Sequence, residues 1–121
     1  MKTKKIKIGF KDIGTALDDF VETGEALTRG EHVREEAGVY FTSIEAFRKA
    51  ITPRRLELLN VIKASRPRSI NELALLARRN IKNVAEDTRL LAQVGLLEIK
   101  EVQNRVTPEV DYDEIDVRIA V

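Results

Sequence analysis

Residues 69–95 read SINELALLARRNIKNVAEDTRLLAQVG, two helix-length segments separated by a short polar break and closed by glycine. Ser69-Ile70-Asn71-Glu72 sets a serine three residues before a glutamate, a pairing that reciprocally satisfies two orphan backbone donors at a helix start. Ile70, Leu73, Ala74 and Ala77 follow at i, i+3, i+4 and i+7, so the spacing predicts a short helix with one apolar stripe. After Arg78 and Arg79, Asn80 suits the N-cap of a longer helix. Its Ile81, Val84, Thr88 and Leu91 share the inward face, and Gly95 stands where a left-handed C′ residue belongs. On the opposite side Lys82, Glu86, Arg89 and Gln93 recur beside Asn83 as a polar ridge. Two helices joined this closely must cross sharply, the pattern of a helix-turn-helix.

Outward from this window the same local rules extend the reading. Thr52 as N-cap and Pro53 at the first helical position open a helix over residues 53–65, because proline's missing N–H costs nothing there. Leu56, Leu59 and Ile62 supply its inward stripe, with Leu58 beside it. Arg66-Pro67-Arg68 ends it, since proline disfavours the α conformation in the preceding residue. Upstream, Thr42-Ser43-Ile44-Glu45 is a second capping box, opening a short helix with Ile44, Phe47 and Ile51 available for burial.

Past Gly95, Leu96 to Val102 largely alternate as a half-buried strand does, Gln103-Asn104-Arg105 suits a hairpin tip, and Val106 to Val110 return, with Pro108 restricted to an edge or bulge. Ile115, Val117 and Ile119 alternate with polar residues and Ala120 in a further strand. At the other end Lys2 to Phe10, KTKKIKIGF, reads as an edge strand guarded by lysines, and Ile13, Leu17, Phe20 and Val21 form a helical stripe ending near Gly30. The predicted fold class is α+β: a winged helix-turn-helix of three to four helices plus a β-hairpin wing, with an N-terminal strand-helix arm. Residues 1–40 form the arm, expected to serve dimerisation or partner docking, and residues 41–121 the winged helix.

Composition narrows the function. With 121 residues and 43% hydrophobic content, the chain suffices for one modest core. It has no cysteine, so disulfides, zinc-thiolate sites and thiol nucleophiles are excluded. The only histidine, His32, sits in a charged GEHVREE stretch with no nucleophile elbow, which leaves no basis for a Ser-His-Asp triad. The acids at Asp111, Asp113, Glu114 and Asp116 fall on both faces of a strand and lack EF-hand spacing. Glycine-rich phosphate loops are absent. No catalytic residue, metal site or cofactor is therefore expected, and the chain reads as a non-enzyme. No apolar run approaches the roughly 20 residues of a bilayer crossing, and the lysine-rich start is not followed by a signal-peptide core, so a cytoplasmic protein without a membrane partner is expected.

A net charge of only +1 hides an uneven distribution. Residues 54–105 carry eleven Lys or Arg against six acids, whereas the last sixteen residues carry five acids against Arg118. Positive charge thus gathers where the helix-turn-helix lies, as a nucleic-acid-binding surface requires.

The stretches YFTSIEAFRKAITPRRLELLNVIKASRPRSINELALLARRNIKNVAEDTRLLAQVGLLEI and DYDEIDVR, within residues 40–118, resemble winged helix-turn-helix transcriptional regulators of the ArsR/MarR type. The likeness is greatest to small archaeal and bacterial predicted regulators, some of them antitoxin-like. One departure stands out: Arg78 occupies the turn position where such regulators usually carry glycine.

The resemblance implies sequence-specific binding of double-stranded DNA, repression by occlusion of an operator, and a homodimer whose two helices are spaced one DNA turn apart. It makes residues 80–94 the helix that enters the major groove. Lys82 then faces guanine, Asn83 adenine and Glu86 cytosine N4, while Arg89, farther along, meets phosphate. Glu86 serves equally well as a partner for Lys82 at i, i+4, and Asn80 suits a cap better than a base contact. Arg68, Arg78, Arg79 and the amides behind Ser69 would hold backbone phosphates. Lys100, Asn104 and Arg105 would lie along the backbone or enter the minor groove from the wing. The alternative is a protein-interaction module, an antitoxin or assembly factor that uses the winged helix or the arm to dock a cognate protein.

Overall fold

The computed structural model describes residues 3–11 and 38–121. Their elements run in the order β1 (Lys5–Phe10), β2 (Gly38–Phe41), α1 (Ile44–Ala50), α2 (Pro53–Ser65), α3 (Ile70–Ala77), α4 (Ile81–Val94), β3 (Glu98–Val102), β4 (Arg105–Glu109) and β5 (Glu114–Val117). Helices α2, α3 and α4 start at the caps their sequence specifies, whereas α1 is capped by Ser43, one residue past the Thr42 that the Thr-x-x-Glu spacing points to. The hydroxyls of Ser43, Thr52 and Ser69 accept from the N–H groups of Ala46, Arg55 and Glu72, and Asn80 Oδ1 accepts from Lys82. Each satisfies one of the donors that a helix start otherwise leaves unpaired. Left-handed residues stop α2, α3 and α4 at Arg66, Arg78 and Gly95.

Helices α3 and α4 form the helix-turn-helix, and β3 and β4 pair antiparallel behind it from Glu98↔Glu109 to Val102↔Arg105. Gln103 and Asn104 both adopt positive φ, at 53° and 64°. That is the mirror-image two-residue turn whose twist matches a hairpin. The tip is therefore these two residues alone, and Arg105 belongs to the returning strand. With this hairpin in place the chain is a winged helix. Pro108 sits opposite Ile99 in a two-stranded ladder, where every strand is an edge and a missing donor is tolerated.

The second sheet departs from the sequence reading. Its order is β2-β1-β5, and β1 runs parallel to both neighbours. The lysine-rich strand is thus central, not an edge. Its alternation marks two faces: Ile6 and Ile8 are buried against the core while Lys5 and Lys7 are exposed. A boundary at residue 40 falls inside β2, so the N-terminal strand and the chain's last strand share one sheet with the start of the winged helix. The expected helical stripe of Ile13, Leu17, Phe20 and Val21, and His32, lie outside the described residues.

One core joins the parallel sheet and the helices: Ile6, Ile8, Val39 and Phe41 from the sheet, Leu58, Leu59 and Ile62 from α2, Leu73 and Ala74 from α3, Val84 and Leu91 from α4, with Leu96, Leu97 and Tyr112. Phe47 meets Phe10 and Phe41 edge to face, at centroid separations of 5.7 and 5.6 Å. Three expected core positions are instead largely exposed, namely Ile44, Leu56 and Ile81. In α2 the inward stripe is Leu58, Leu59 and Ile62, so Leu58 takes the place expected of Leu56. No helix of the described residues is long and apolar enough to cross a membrane.

Candidate nucleic-acid interface

Helix α4 is amphipathic in the sense its sequence predicts. Val84, Thr88 and Leu91 are buried, while Lys82, Asn83, Glu86, Arg89 and Gln93 are exposed. Lys82 and Glu86 form no ion pair with each other, so the i, i+4 bridge is not made and both side chains face solvent. Asn80 acts as the cap, its side-chain oxygen 2.8 Å from the Lys82 N–H, which commits that oxygen to the helix.

What fixes this helix is a charged knot. Asp87 accepts from Arg55 Nε at 3.0 Å and from Arg79 Nη2 at 2.7 Å, and the three side chains are 15–19% exposed. Arg55 also donates to the carbonyls of Lys49 and Ala50 at the end of α1. One carboxylate thereby ties α4 to the first turn of α2, the last turn of α1 and the turn behind α3. Burial pushes the Asp87 carboxyl up, but the hydrogen bonds and charges of Arg79 and Arg55 outweigh it, leaving it below the ordinary carboxylate value.

Arg79, expected on phosphate, is thus an inward strut with its Nη1 buried. The sequence reading missed Asp87 and Arg55 because the pairs span eight and 32 residues and no helical spacing rule connects them. Thr88 Oγ1 is likewise buried without a hydrogen-bond partner.

The other flanking cations remain outside. Arg68 and Arg78 are exposed on either side of α3, and Arg78 holds the left-handed turn at φ 56°, ψ 48°. Ser69 caps α3, its hydroxyl 3.1 Å from the Glu72 N–H. Thr107 Oγ1 donates to the Arg68 carbonyl at 2.8 Å, fastening the wing to the loop before α3. Between the end of α2, that loop and the wing lies a 710 Å³ cleft lined by Arg66, Arg68 and Arg105 together with Glu109 and Asp111.

Arg66 was not among the expected site residues, although its place before Pro67 marked the helix end that carries it. Asn104 stands exposed at the wing tip. Lys100 is also exposed but engaged, 2.8 Å from Glu109 Oε2 across the wing, a contact that raises its pKa. Among the described residues no group of three His, Asp or Glu side chains is arranged to hold a metal ion.

A family model, HVO_A0114, matches residues 50–117. Among solved structures the chain is similar to the NMR structure of a homodimeric winged helix-turn-helix DNA-binding domain, fragment 1–100 of a possible ArsR-family transcriptional regulator from Mycobacterium bovis. Identity is 20% and the TM-score 0.48, over 83% of this chain and 71% of that one. It is also similar to the multiple antibiotic-resistance repressor MarR of Listeria monocytogenes, at 15% identity and a TM-score of 0.44. That alignment covers 81% of this chain and 63% of the repressor, so the chain spans under two thirds of the repressor's length. No curated protein matches the sequence. The winged-helix assignment stands on the element order and the hairpin turn.

Proposed function

This chain belongs to the HVO_A0114 family, and we propose that it is a regulator that binds double-stranded DNA in a sequence-specific manner and represses by occluding an operator. The observation that carries this reading is the outer face of α4. Lys82, Asn83, Glu86 and Arg89 project from it with no ion pair among the described residues, while the opposite face is buried and the helix is pinned by Asp87. A B-DNA major groove about 12 Å wide admits one such helix. Lys82 donates to guanine O6 or N7, Asn83 pairs with adenine N6 and N7, and Glu86 accepts from cytosine N4. Arg89 reaches phosphate.

Register on the duplex comes from groups that read no sequence. Arg68, Arg78 and the amides behind Ser69 meet one stretch of backbone, and Arg105 and Asn104 meet another from the wing, with Arg66 beside them in the cleft. Arg79 contributes only by holding the turn, and Lys100 is partly neutralised by Glu109. The test is a salt titration of duplex binding. With about four phosphate contacts, log affinity falls against log salt with a slope of about −3.6, and Arg68→Ala or Arg105→Ala each reduces it by about 0.9. A flat profile contradicts the reading.

A second reading, docking of a cognate protein, is favoured by one observation. Leu75 and Leu76 on α3 are 79% and 45% exposed, more apolar surface than a helix facing only phosphates needs. A chain that works this way retains its partner at high salt and shows no salt-dependent duplex binding.

A further inference from the structure

We propose that two copies of this chain join through the outer edge of β5, antiparallel and centred on Val117, to give one continuous six-stranded sheet of order β2-β1-β5-β5-β1-β2. The inference does not rest on DNA binding, and its test reads mass and cross-linking alone.

The backbone supplies the first observation. Glu114 and Arg118 donate their N–H groups to the carbonyls of Lys4 and Ile8 on β1. Strand geometry alternates with a period of two, so the N–H and C=O groups of Ile115 and Val117 point the other way, off the sheet. Among the described residues nothing pairs with them. The edge is not blunted either. It contains no proline, and Val117 is 38% exposed on the side of the sheet that carries the buried Ile6 and Ile8, with Ile119 just beyond it 56% exposed. An edge of this kind, unpaired among the described residues, is a template for another strand.

The side chains identify the strand that fits, and it is a second copy of β5. When this segment pairs antiparallel with itself, outward-pointing residues must face outward-pointing residues, so the register can shift only by two. Placing Asp116 opposite Asp116 of the second copy sets like charges together, and placing Arg118 opposite Arg118 does the same. The register between them sets Asp116 opposite Arg118 twice, Val117 opposite Val117, and Ile115 opposite Ile119 twice. Opposite charges and apolar pairs directly across a ladder stabilise it, and like charges destabilise it. Asp116 and Arg118 are exposed and make no ion pair among the described residues, so both are available for this exchange. Val117 lies at the hydrogen-bonded centre, with the two-fold axis through it.

The experiment compares the full chain with charge-swap and cysteine variants. The wild type is expected to sediment at twice the monomer mass. Asp116→Arg and Arg118→Asp, each of which sets like charges across both pairs, weaken association about tenfold or more. The double variant, which restores opposite charges in reversed order, recovers it. Since the chain has no cysteine of its own, a single introduced thiol reports distance directly. Val117→Cys places two Cα atoms about 5.5 Å apart, within disulfide reach, and cross-links under mild oxidation faster than Ile119→Cys, whose counterpart lies several residues away. The proposal is overturned if the wild type is monomeric at all concentrations, if the single charge reversals associate as the wild type does, or if position 117 cross-links no faster than position 119.

Discussion

Arg78 holds the turn of the helix-turn-helix in a left-handed conformation, a geometry that costs a side-chain-bearing residue about 1–2 kcal/mol. Glycine removes that strain at the price of a more flexible unfolded chain, worth about 0.5–1 kcal/mol. Arg78→Gly is therefore expected to raise stability by up to about 1 kcal/mol in urea unfolding while lowering the salt slope of duplex binding by about 0.9. Stability and affinity move in opposite directions, which a purely structural role for the arginine does not produce.

Asp87 behaves differently. Asp87→Ala leaves Arg55 and Arg79 half-buried without their counter-charge and is expected to destabilise by about 3 kcal/mol. Its folded pKa is depressed, so the wild type's advantage over Asp87→Ala is fully present above the unfolded value of about 3.9 and fades as pH falls through the lower folded value. Urea melts from neutral pH to about pH 2 test both. The caps at Thr52, Ser69, Asn80 and Gly95 were legible in the sequence because capping is chemistry between near neighbours, and at α1 the reading fell one residue short, on Thr42 in place of Ser43. The Arg55–Asp87–Arg79 knot was not, because only the tertiary fold brings those three together.

Periodicity located the helices and the wing, but it located faces less well. In α2 two leucine stripes overlap, through Leu56 and Leu59 or through Leu58 and Leu59, and only packing in the tertiary core selects the second. Ile81 satisfied the stripe of α4 yet lies in its first turn, beyond the neighbours that cover Val84. The strand over residues 5–10 was legible as a strand, with its inward isoleucines, but not as a central one. Its partners start 33 and 109 residues later, and parallel pairing leaves no local turn to read.

One contact ties these elements together. The Tyr112 hydroxyl donates to the Leu96 carbonyl at 2.6 Å, joining the segment before β5 to the end of α4. Burial, aided by the Asp111 charge, pushes its pKa well above the usual phenol value. Tyr112→Phe leaves that buried carbonyl unpaired and is expected to cost about 1–2 kcal/mol. Because the folded pKa is raised, the tyrosine's contribution is intact below about pH 10 and declines above it. The stability gap between wild type and Tyr112→Phe should therefore narrow in alkaline urea melts, and a gap that persists unchanged counts against this account.

Taken as a whole, the molecule is a winged helix held by its own two ends. The parallel sheet pairs β1 with β5, and α3, α4 and the wing lie between these two strands in the chain. Charge follows the same division, positive around the helix-turn-helix and negative toward β5. The proposed self-pairing uses Asp116 and Arg118 of that acidic end, whereas Glu109 and Asp111 line the cleft beside Arg68 and Arg105. A dimer so formed presents two α4 helices related by a two-fold axis, which calls for a palindromic site with half-sites a whole number of DNA turns apart.

Selection of bound duplexes from a random pool, run in parallel with the wild type and the Lys82→Ala/Asn83→Ala double variant, tests the central claim most directly. The wild type should enrich a palindromic sequence, and the double variant should still bind DNA but lose the preference at the bases those two side chains read, by about 1–3 kcal/mol each. Recovery of the same sequence by both proteins, or of no sequence by the wild type, would contradict base reading by the exposed face of α4.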